Sequence, residues 1–408
     1  MLDVKKIKEN FPIFDSYRER YGKELVYLDS AASSQTPRQV VEAMNEYYFN
    51  YRSNVHRSPY ALGTAATSAY ENARTTVAKF IGAEKWEIIF TPGATFGVNM
   101  LVLMLEKYLK LGQKDEITIS VAEHHSNFIP FQELAKRSGA VVRLIPLKGT
   151  DLDYDIAKKL IWRGTKIVTL PLASNVLGTL YDIRRIVQWA RQAGAITIVD
   201  ATTAIGHIGV DVRSLGCDFL FFSGHKMLGP TGIGVLYGRE ELLTRLYPSF
   251  FGGGIVESVT EKETTYLDIP ECFEPGTPNI AGAIGLARAI EYVHSLGMGT
   301  VTEHVQELVH YTIKKLDAIP YLTVLSEKNE KKNSGVVSFS VLGIGSQRLT
   351  KALDHEHISI RGGHHCAMPL VNRLGVSGVC RASFYVYNDQ TDINTLVSGI
   401  KKARELLK

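Results

Sequence analysis

The chain has 408 residues, of which 45% are hydrophobic and 22% are charged, and its formal net charge is +4. This length and composition are typical of a globular protein with two or more domains. The charge is only mildly basic and no Lys/Arg block alternates with aromatic residues, so we expect no nucleic-acid partner. Because no apolar run is long enough to cross a bilayer and the first residues carry charges, we predict a cytoplasmic protein without a membrane span.

Short β-branched runs alternate with longer amphipathic runs along most of the chain. Strands are predicted at residues 88–91, 116–121, 141–146, 166–170, 196–199, 219–223 and 234–237. Helical patterns lie between several of them, as at residues 129–138 and 183–193. The alternation predicts an α/β fold with a mostly parallel seven-stranded sheet and helices on both faces. Polar residues that follow the strands are then expected to meet at the carboxyl edge of the sheet.

The larger domain is predicted to span residues 26–285. A helical pattern at residues 281–296 leads into a region with strand patterns at 336–341 and 382–387 and helical patterns at 346–355 and 392–407. A smaller α+β domain is therefore predicted from residues 1–25 and 286–408, with the first 25 residues packing against it.

A lysine after an apolar strand is the most informative single residue. Lys226 stands in the run FSGHKMLGPTGIG at residues 222–234, between a histidine and a glycine-rich turn. Such an amine can bind a carbonyl covalently, and its pKa falls readily on partial burial. This run alone leaves a second interpretation open, namely a surface lysine in a glycine turn.

Three further groups follow predicted strands. Thr95, behind Gly93, offers a hydroxyl and a helix N-terminus to a phosphate, or is a plain N-cap. Asp200 ends a buried strand and needs a partner, for which a protonated pyridine nitrogen or a structural ion pair is suitable. His124 and His125 are adjacent, so at most one is expected to face a site. Together with Lys226 these groups favour pyridoxal phosphate, since the chain has no GxGxxG fingerprint opening a βαβ unit and no GxxxxGK[ST] motif.

The four cysteines show no CxxC spacing, so free thiols in a reducing compartment are expected. Gly362 and Gly363 precede Cys366 and suggest a loop that can swing. Arg361 and the histidine neighbours of Cys366 favour a thiolate nucleophile over an inert thiol. Zinc binding by His364, His365 and Cys366 is disfavoured because three consecutive residues rarely converge on one ion. We therefore predict no metal site.

These motifs together resemble the group II cysteine desulfurases of the SufS/CsdA type, which are fold-type I pyridoxal-phosphate enzymes. The resemblance runs nearly end to end. It rests on the lysine run and on YLDSAA (27–32), EHHSN (123–127), SNVLGT (174–179), FEPGTPN (273–279), GHHCAMP (363–369) and RAS (381–383).

The resemblance implies a role for each matching residue. Lys226 is expected to bind the cofactor as a Schiff base and to move protons, Asp200 to pair with the pyridine nitrogen, and His124 to stack on the ring. The expected phosphate-binding positions are Ala94, Thr95, Ser223, His225 and, reaching the other subunit of a homodimer, Thr277. Asn175 and Arg381 are expected to bind the substrate carboxylate, His56 and Arg361 to line the substrate side, and Cys366 to accept sulfur.

Three positions depart from the usual pattern of this family. Thr203 replaces a glutamine near the phenolic oxygen of the cofactor, Ala94 replaces a second threonine, and Ala173 replaces a histidine. These changes bear on rate and substrate choice more than on the class of reaction.

The expected reaction converts L-cysteine to L-alanine and leaves sulfur on Cys366 as a persulfide. By resemblance, the sulfur passes to an acceptor of the SufE or SufU type and to a SufBCD scaffold, for iron–sulfur clusters or another sink. A selenocysteine lyase or cysteine-sulfinate desulfinase is the main alternative, because those substrates react without thiolate attack. An aminotransferase and a catalytically weak assembly protein are the remaining alternatives.

Overall fold

The computed structural model describes residues 2–407. The helices are α1 Val4–Lys8, α2 Pro12–Tyr21, α3 Arg38–Asn50, α4 Ala61–Ile81, α5 Ala94–Leu109, α6 His125–Ser138, α7 Tyr154–Leu160, α8 Ile183–Ala193, α9 Val212–Leu215, α10 Glu240–Leu243, α11 Ile280–Leu296, α12 Met298–Asp317, α13 Ser346–Asp354, α14 Met368–Arg373 and α15 Gln390–Leu407. The strands are β1 Val26–Tyr27, β2 Ile88–Thr91, β3 Glu116–Ser120, β4 Val141–Ile145, β5 Leu147–Lys148, β6 Asp151–Leu152, β7 Thr165–Pro171, β8 Ile196–Asp200, β9 Phe219–Ser223, β10 Gly234–Gly238, β11 Val256–Val259, β12 Thr264–Tyr266, β13 Leu322–Val324, β14 Val336–Val341, β15 Ile358–Ser359, β16 Arg361–Gly363 and β17 Val379–Ser383.

A seven-stranded sheet with the order β2-β10-β9-β8-β7-β3-β4 forms the centre of the fold. Its members are the seven predicted strands, and only β10 runs antiparallel to its neighbours. The predicted fold class is confirmed. The carboxyl ends of β2, β3, β7, β8 and β9 consequently lie along one edge of the sheet.

Helices cover both faces of this sheet, which is why its strands read as continuous apolar runs. In β9, Phe219 and Phe221 contribute to the core under α5 and α6, whereas Leu220 and Phe222 contribute to the core under α4, α8 and α11. The alternation follows from the two-residue period of a strand, whose successive side chains point to opposite faces. Because helices cover both faces of the sheet, the polar residues at the ends of its strands are the candidates for function.

A four-stranded antiparallel sheet with the order β13-β14-β17-β16 lies in the C-terminal part of the chain. The predicted strand at residues 382–387 is wrong beyond Ser383, where β17 ends. The backbone N–H of Asn388 donates to the carbonyl of Tyr385 at 3.1 Å and closes a turn. The side chain of Asn388 accepts a hydrogen bond from the backbone N–H of Tyr385 at 2.9 Å. Phe384 to Tyr387 remain fully buried, so their apolar pattern reflects burial rather than strand pairing.

The predicted domain division stays a prediction, and its outermost residues, 1 and 408, lie outside the described residues. β1 pairs in parallel with β15, and Val26 lies in the core that α12, α13 and α15 cover. α11 crosses position 285 and shares a core with the large sheet. From the N-terminal segment, Phe11 packs on Tyr387 with ring centroids 5.0 Å apart.

Helix α6 begins four residues earlier than the predicted start at 129. The true first turn is polar and gives no apolar signal. Pro130 favoured the later predicted start at 129, because proline is commonest in the first turn of a helix. The side chain of His124 accepts a hydrogen bond from the backbone N–H of Ser126 and caps the helix instead. Within residues 2–407, none of the helices is both long and apolar enough to cross a bilayer.

Candidate active site

A cavity of about 180 Å³ opens at the carboxyl edge of the large sheet. Most of the predicted site residues line it together. They are Ala94, Thr95, His124, Asn175, Asp200, Thr203, Ser223, His225, Lys226, Arg361, Cys366 and Arg381. Lys226 and Cys366, some 140 positions apart in sequence, thus face one space.

Two predicted site residues, His56 and Thr277, lie in a different pocket of about 610 Å³, together with Glu271 and Glu274. The ring Nε2 of His56 lies 3.0 Å from Oε1 of Glu71, and this hydrogen bond raises the pKa of His56. Within one subunit neither residue reaches the cavity of Lys226. Their roles stay predictions, and both require that another subunit bring them to a cavity.

Lys226 ends a short turn that follows β9 and projects toward the cavity. Desolvation and the neighbouring guanidinium of Arg381 lower the pKa of Lys226 to about 8, and the carboxylate of Asp200 opposes that shift. Near pH 7 roughly a tenth of the amine is therefore uncharged, far more than in an ordinary lysine. The uncharged amine is the form that attacks a carbonyl.

Asp200 is the last residue of β8 and is almost fully buried. Its Oδ1 accepts a hydrogen bond from the backbone N–H of Thr202 at 2.8 Å, and burial raises the pKa of the carboxyl group. An anion in such a place needs a cationic partner. A protonated ring nitrogen fits this requirement.

A second buried carboxyl group, Glu123, was not predicted. Neither of its oxygens has a hydrogen-bond partner among the described residues, and burial, with Asp200 as a second cause, raises the pKa of Glu123 well above its ordinary value. Burial thus favours the neutral form of Glu123, and this residue does not line the cavity. Asp200 remains the carboxylate available to a ring cation, and the signal for Glu123 in the sequence was only its place beside His124.

The two adjacent histidines have different tasks, as expected. His124 lines the cavity, and its Nδ1 accepts a hydrogen bond from the backbone N–H of Ser126 at 3.1 Å. Burial, followed by Lys226, lowers the pKa of His124 to about 3. The ring is thus neutral and carries its hydrogen on Nε2. His125 instead accepts a hydrogen bond at Nε2 from the backbone N–H of Met368.

One end of the cavity has the chemistry of a phosphate site. Here α5 begins at Ala94, whose backbone N–H donates to Oγ of Ser223 at 2.9 Å. The hydroxyl groups of Thr95 and Ser126 lie 2.7 Å apart. We call Ala94, Thr95, Ser223 and His225 the phosphate cup, because a helix N-terminus with hydroxyl groups favours an anion.

The other end of the cavity presents a buried guanidinium. Arg381 donates to the carbonyl of Asn175 at 3.0 Å and to Oδ1 of Asp29 at 2.9 Å. Its Nε and the Oδ1 of Asn175 have no protein partner among the described residues. Buried polar atoms are normally paired, so these unpaired atoms indicate a ligand with both acceptor and donor groups. An amino acid has both.

Cys366 lies in a strained turn, which we define as residues 364–368 and call the Cys366 turn. His365 and Cys366 have left-handed backbones with φ of 52° and 54°, a conformation that costs about 1–2 kcal/mol per residue. The carbonyl of Cys366 accepts from the backbone N–H of His125 at 2.6 Å, and the carbonyl of His365 accepts from Nδ2 of Asn175 at 2.7 Å. The segments that follow β3 and β7 thus hold the turn in place.

The two glycines before this turn do not form a loop, which differs from the sequence-based interpretation. Gly362 and Gly363 belong to β16 and pair with β17. A Cβ at Gly362 would lie 2.8 Å from the carbonyl oxygen of Ser346, so glycine is required there for close packing against α13.

Cys366 is the exposed member of the four free cysteines. Burial raises the pKa of each of the other three to about 12. Across residues 2–407, no group of three or more His, Cys, Asp and Glu side chains is arranged to hold a metal ion. Sequence reasoning also missed Ala31, Ala32, Ser126, Thr202 and His365 as cavity-lining residues. For Ser126, the available signal was a hydroxyl group two residues after His124.

Comparison with known proteins finds relatives of one family along nearly the whole chain. The profile of the Aminotransferase class-V family matches residues 26–396. A probable cysteine desulfurase of Halalkalibacterium halodurans is 43% identical over 406 residues, which cover 99% of this chain and 98% of that protein.

Two solved structures have the same fold along their whole length. The apo structure of a cysteine desulfurase from Thermococcus onnurineus has a TM-score of 0.94 and 39% identity, covering 100% of this chain and 99% of that one. The cysteine desulfurase CsdA of Escherichia coli has a TM-score of 0.91 and 35% identity, with 100% of both chains covered. The chain therefore belongs to the class-V aminotransferase family of fold-type I pyridoxal-phosphate enzymes, and within it to the cysteine desulfurases.

Proposed function

We propose that this protein removes the sulfur atom of L-cysteine, releases L-alanine and retains the sulfur as a persulfide on Cys366. The observation that carries the proposal is the position of Lys226, Arg381 and Cys366 around one cavity. An amine that binds a carbonyl, a cation for the substrate carboxylate and an exposed thiol are the three groups that this reaction needs from the protein.

The cofactor-binding residues are matched to pyridoxal phosphate. When bound, this cofactor supplies an electron sink for the negative charge that develops at Cα of the substrate. Asp200 would hold the protonated ring nitrogen, and Lys226 would take and return the Cα proton. His124, neutral with its hydrogen on Nε2, would lie against the ring without adding a charge.

The substrate is placed by its carboxylate. The unpaired Nε–H of Arg381 and the remaining N–H of the Asn175 Nδ2 group donate to that carboxylate, and a charge-assisted contact to arginine gives both strength and orientation. The thiolate of Cys366 then attacks the substrate sulfur. The bond between this sulfur and Cβ breaks, its electron pair remains with Cβ, and protonation of Cβ gives alanine.

Further assignments extend this proposal to partners. A homodimer would bring His56 and Thr277 to the cavity of the other subunit, and their shared pocket outside the cavity of Lys226 supports it. The exposure of Cys366 suits transfer of the persulfide to an acceptor protein of the SufE or SufU type and a SufBCD scaffold. Four unpaired cysteines support a cytoplasmic location.

The pH dependence of cofactor uptake tests the assignment of Lys226. Uptake by the apoprotein should accelerate as pH rises and level off above a midpoint of about 8, because the uncharged amine is the reactive form and the pKa of Lys226 is lowered to about 8. An ordinary lysine would show its midpoint only near about 10.4. Stopped-flow measurement of the visible absorbance of the bound cofactor records the profile. A midpoint above about 9.5 would contradict the assignment.

Mass spectrometry of protein incubated with L-cysteine tests the function as a whole. One added sulfur is expected on the peptide that contains Cys366, together with free alanine in equal amount. The peptides of Cys217, Cys272 and Cys380 serve as internal controls, because these thiols are buried. Alanine without a persulfide on Cys366, or a persulfide on another cysteine, would contradict the proposal.

A further inference from the structure

We propose that the hydroxyl group of Ser126 is an additional phosphate-binding group, which acts in a pair with Thr95. The inference rests on the cofactor site of the proposed function and adds a residue to its phosphate cup. Ser126 lines the same cavity as Thr95, Ser223 and His225. Its Oγ lies 2.7 Å from Oγ1 of Thr95.

The position of Ser126 is set by two helices that begin at the cavity. Thr95 is the second residue of α5, a helix of 16 residues, and Ser126 is the second residue of α6, a helix of 14 residues. Neither helix has an acidic residue in its first turn. The positive ends of both helix dipoles are therefore left without a neutralising side chain, and the hydroxyl pair lies where they meet.

A count of hydrogen-bond donors shows why the cup gains from Ser126. Ala94 has no hydroxyl group, and its backbone N–H already donates to Oγ of Ser223. A hydroxyl group has one hydrogen to donate, so Thr95 and Ser126 together have two. Their mutual contact uses one hydrogen, which leaves one for a ligand, and a phosphate that separates the pair can accept both.

The backbone holds Ser126 in the required position. Its N–H donates to Nδ1 of His124 at 3.1 Å, and this contact also fixes the ring that lies beside the cofactor. The contact with Oγ1 of Thr95 at 2.7 Å orients the hydroxyl group before an anion arrives, which lowers the entropic cost of binding it. Ser126 therefore links the phosphate end of the site to the ring end.

Binding of pyridoxal phosphate and of pyridoxal, which lacks the phosphate, separates this role from a structural one. For the apoprotein of Ser126→Ala, the dissociation constant of pyridoxal phosphate should rise roughly tenfold, as expected for loss of a hydrogen bond to a charged group. That of pyridoxal should stay within about twofold, since the lost hydrogen bond needs a phosphate. Equilibrium titration followed by visible absorbance measures both.

Ser138→Ala is the matched control, because Ser138 lies at the other end of α6 and donates to the carbonyl of Leu134 at 2.8 Å. It should leave both constants unchanged. Ser126→Asp is a second variant that places a negative charge at the cup, and it should weaken binding of pyridoxal phosphate roughly a hundredfold while largely sparing pyridoxal.

Equal weakening of both ligands in Ser126→Ala, or no weakening of either, would overturn the inference, because a structural hydroxyl does not distinguish them. Failure of Ser126→Asp to discriminate against the phosphorylated form would do the same. A wild-type apoprotein that binds neither ligand would overturn the proposed function first and the role of Ser126 with it.

Discussion

Replacement of Lys226 by alanine is expected to lower the release of alanine from cysteine by at least about a thousandfold, since one residue both binds the cofactor carbonyl and transfers the Cα proton. The fold should survive. Burial disfavours the charged form of this amine and lowers its pKa to about 8, so its removal relieves a cost at neutral pH. Alanine is measured in single-turnover and steady-state assays, with the melting temperature recorded in parallel.

Lys136→Ala provides the matched control, because Lys136 lies on the exposed side of α6 with 63% of its side chain accessible. Its activity should equal that of the wild type. A Lys226→Ala protein that retains more than about a tenth of the activity would show that another group moves the proton. Loss of activity together with loss of the folded state would instead contradict the view that the amine is unfavourable for folding.

Replacement of Cys366 by alanine is expected to abolish sulfur transfer from cysteine while the cofactor stays bound. The reason is geometric, since Cys366 is the exposed thiol that lines the cavity and the other three are buried. We expect sulfane sulfur release to fall by at least about a hundredfold. The same variant should still cleave selenocysteine and cysteine sulfinate, whose leaving groups need no thiolate.

Cys217→Ala is the control for this change, since Cys217 lies in the core with 2% of its surface exposed. It should lower stability and leave turnover of cysteine unchanged. If Cys366→Ala turns over cysteine as fast as the wild type, Cys366 is not the sulfur acceptor. Selenocysteine or sulfinate turning over faster than cysteine in the wild type would favour the alternative substrate classes.

The large sheet was predictable because its strands are buried on both faces. Runs such as 219–223 are short, rich in aromatic residues and followed by a glycine-rich turn, which favours a buried strand over a helix. The start of α6 was not predictable in the same way. Its first turn is stabilised by the side chain of His124, which acts as the N-cap. This role depends on the rotamer of His124, and the periodicity of apolar residues does not reveal it.

Site residues that directly follow a strand could be predicted from the sequence. Residues whose role depends on contacts with distant parts of the chain were harder to predict. Asp200 and Lys226 follow β8 and β9 directly, so their meeting at one edge follows from sheet geometry. Glu123 is recognised only in the structure, where both of its carboxyl oxygens are buried without a hydrogen-bond partner among the described residues. The glycines at 362 and 363 suggested a mobile loop, whereas the carbonyl of Ser346 explains the need for glycine at 362.

The side-chain amide of Asn175 takes part in two interactions, one with the Cys366 turn and one proposed with the substrate. Its Nδ2 holds the carbonyl of His365 at 2.7 Å, and the same group is proposed to contact the substrate carboxylate. Thermodynamic coupling between two such equilibria is reciprocal. The factor by which a shift of the Cys366 turn changes the affinity for cysteine equals the factor by which bound cysteine changes the equilibrium of that shift. If sulfur bound to Cys366 shifts this turn, it therefore changes the affinity for the next cysteine molecule by the corresponding factor.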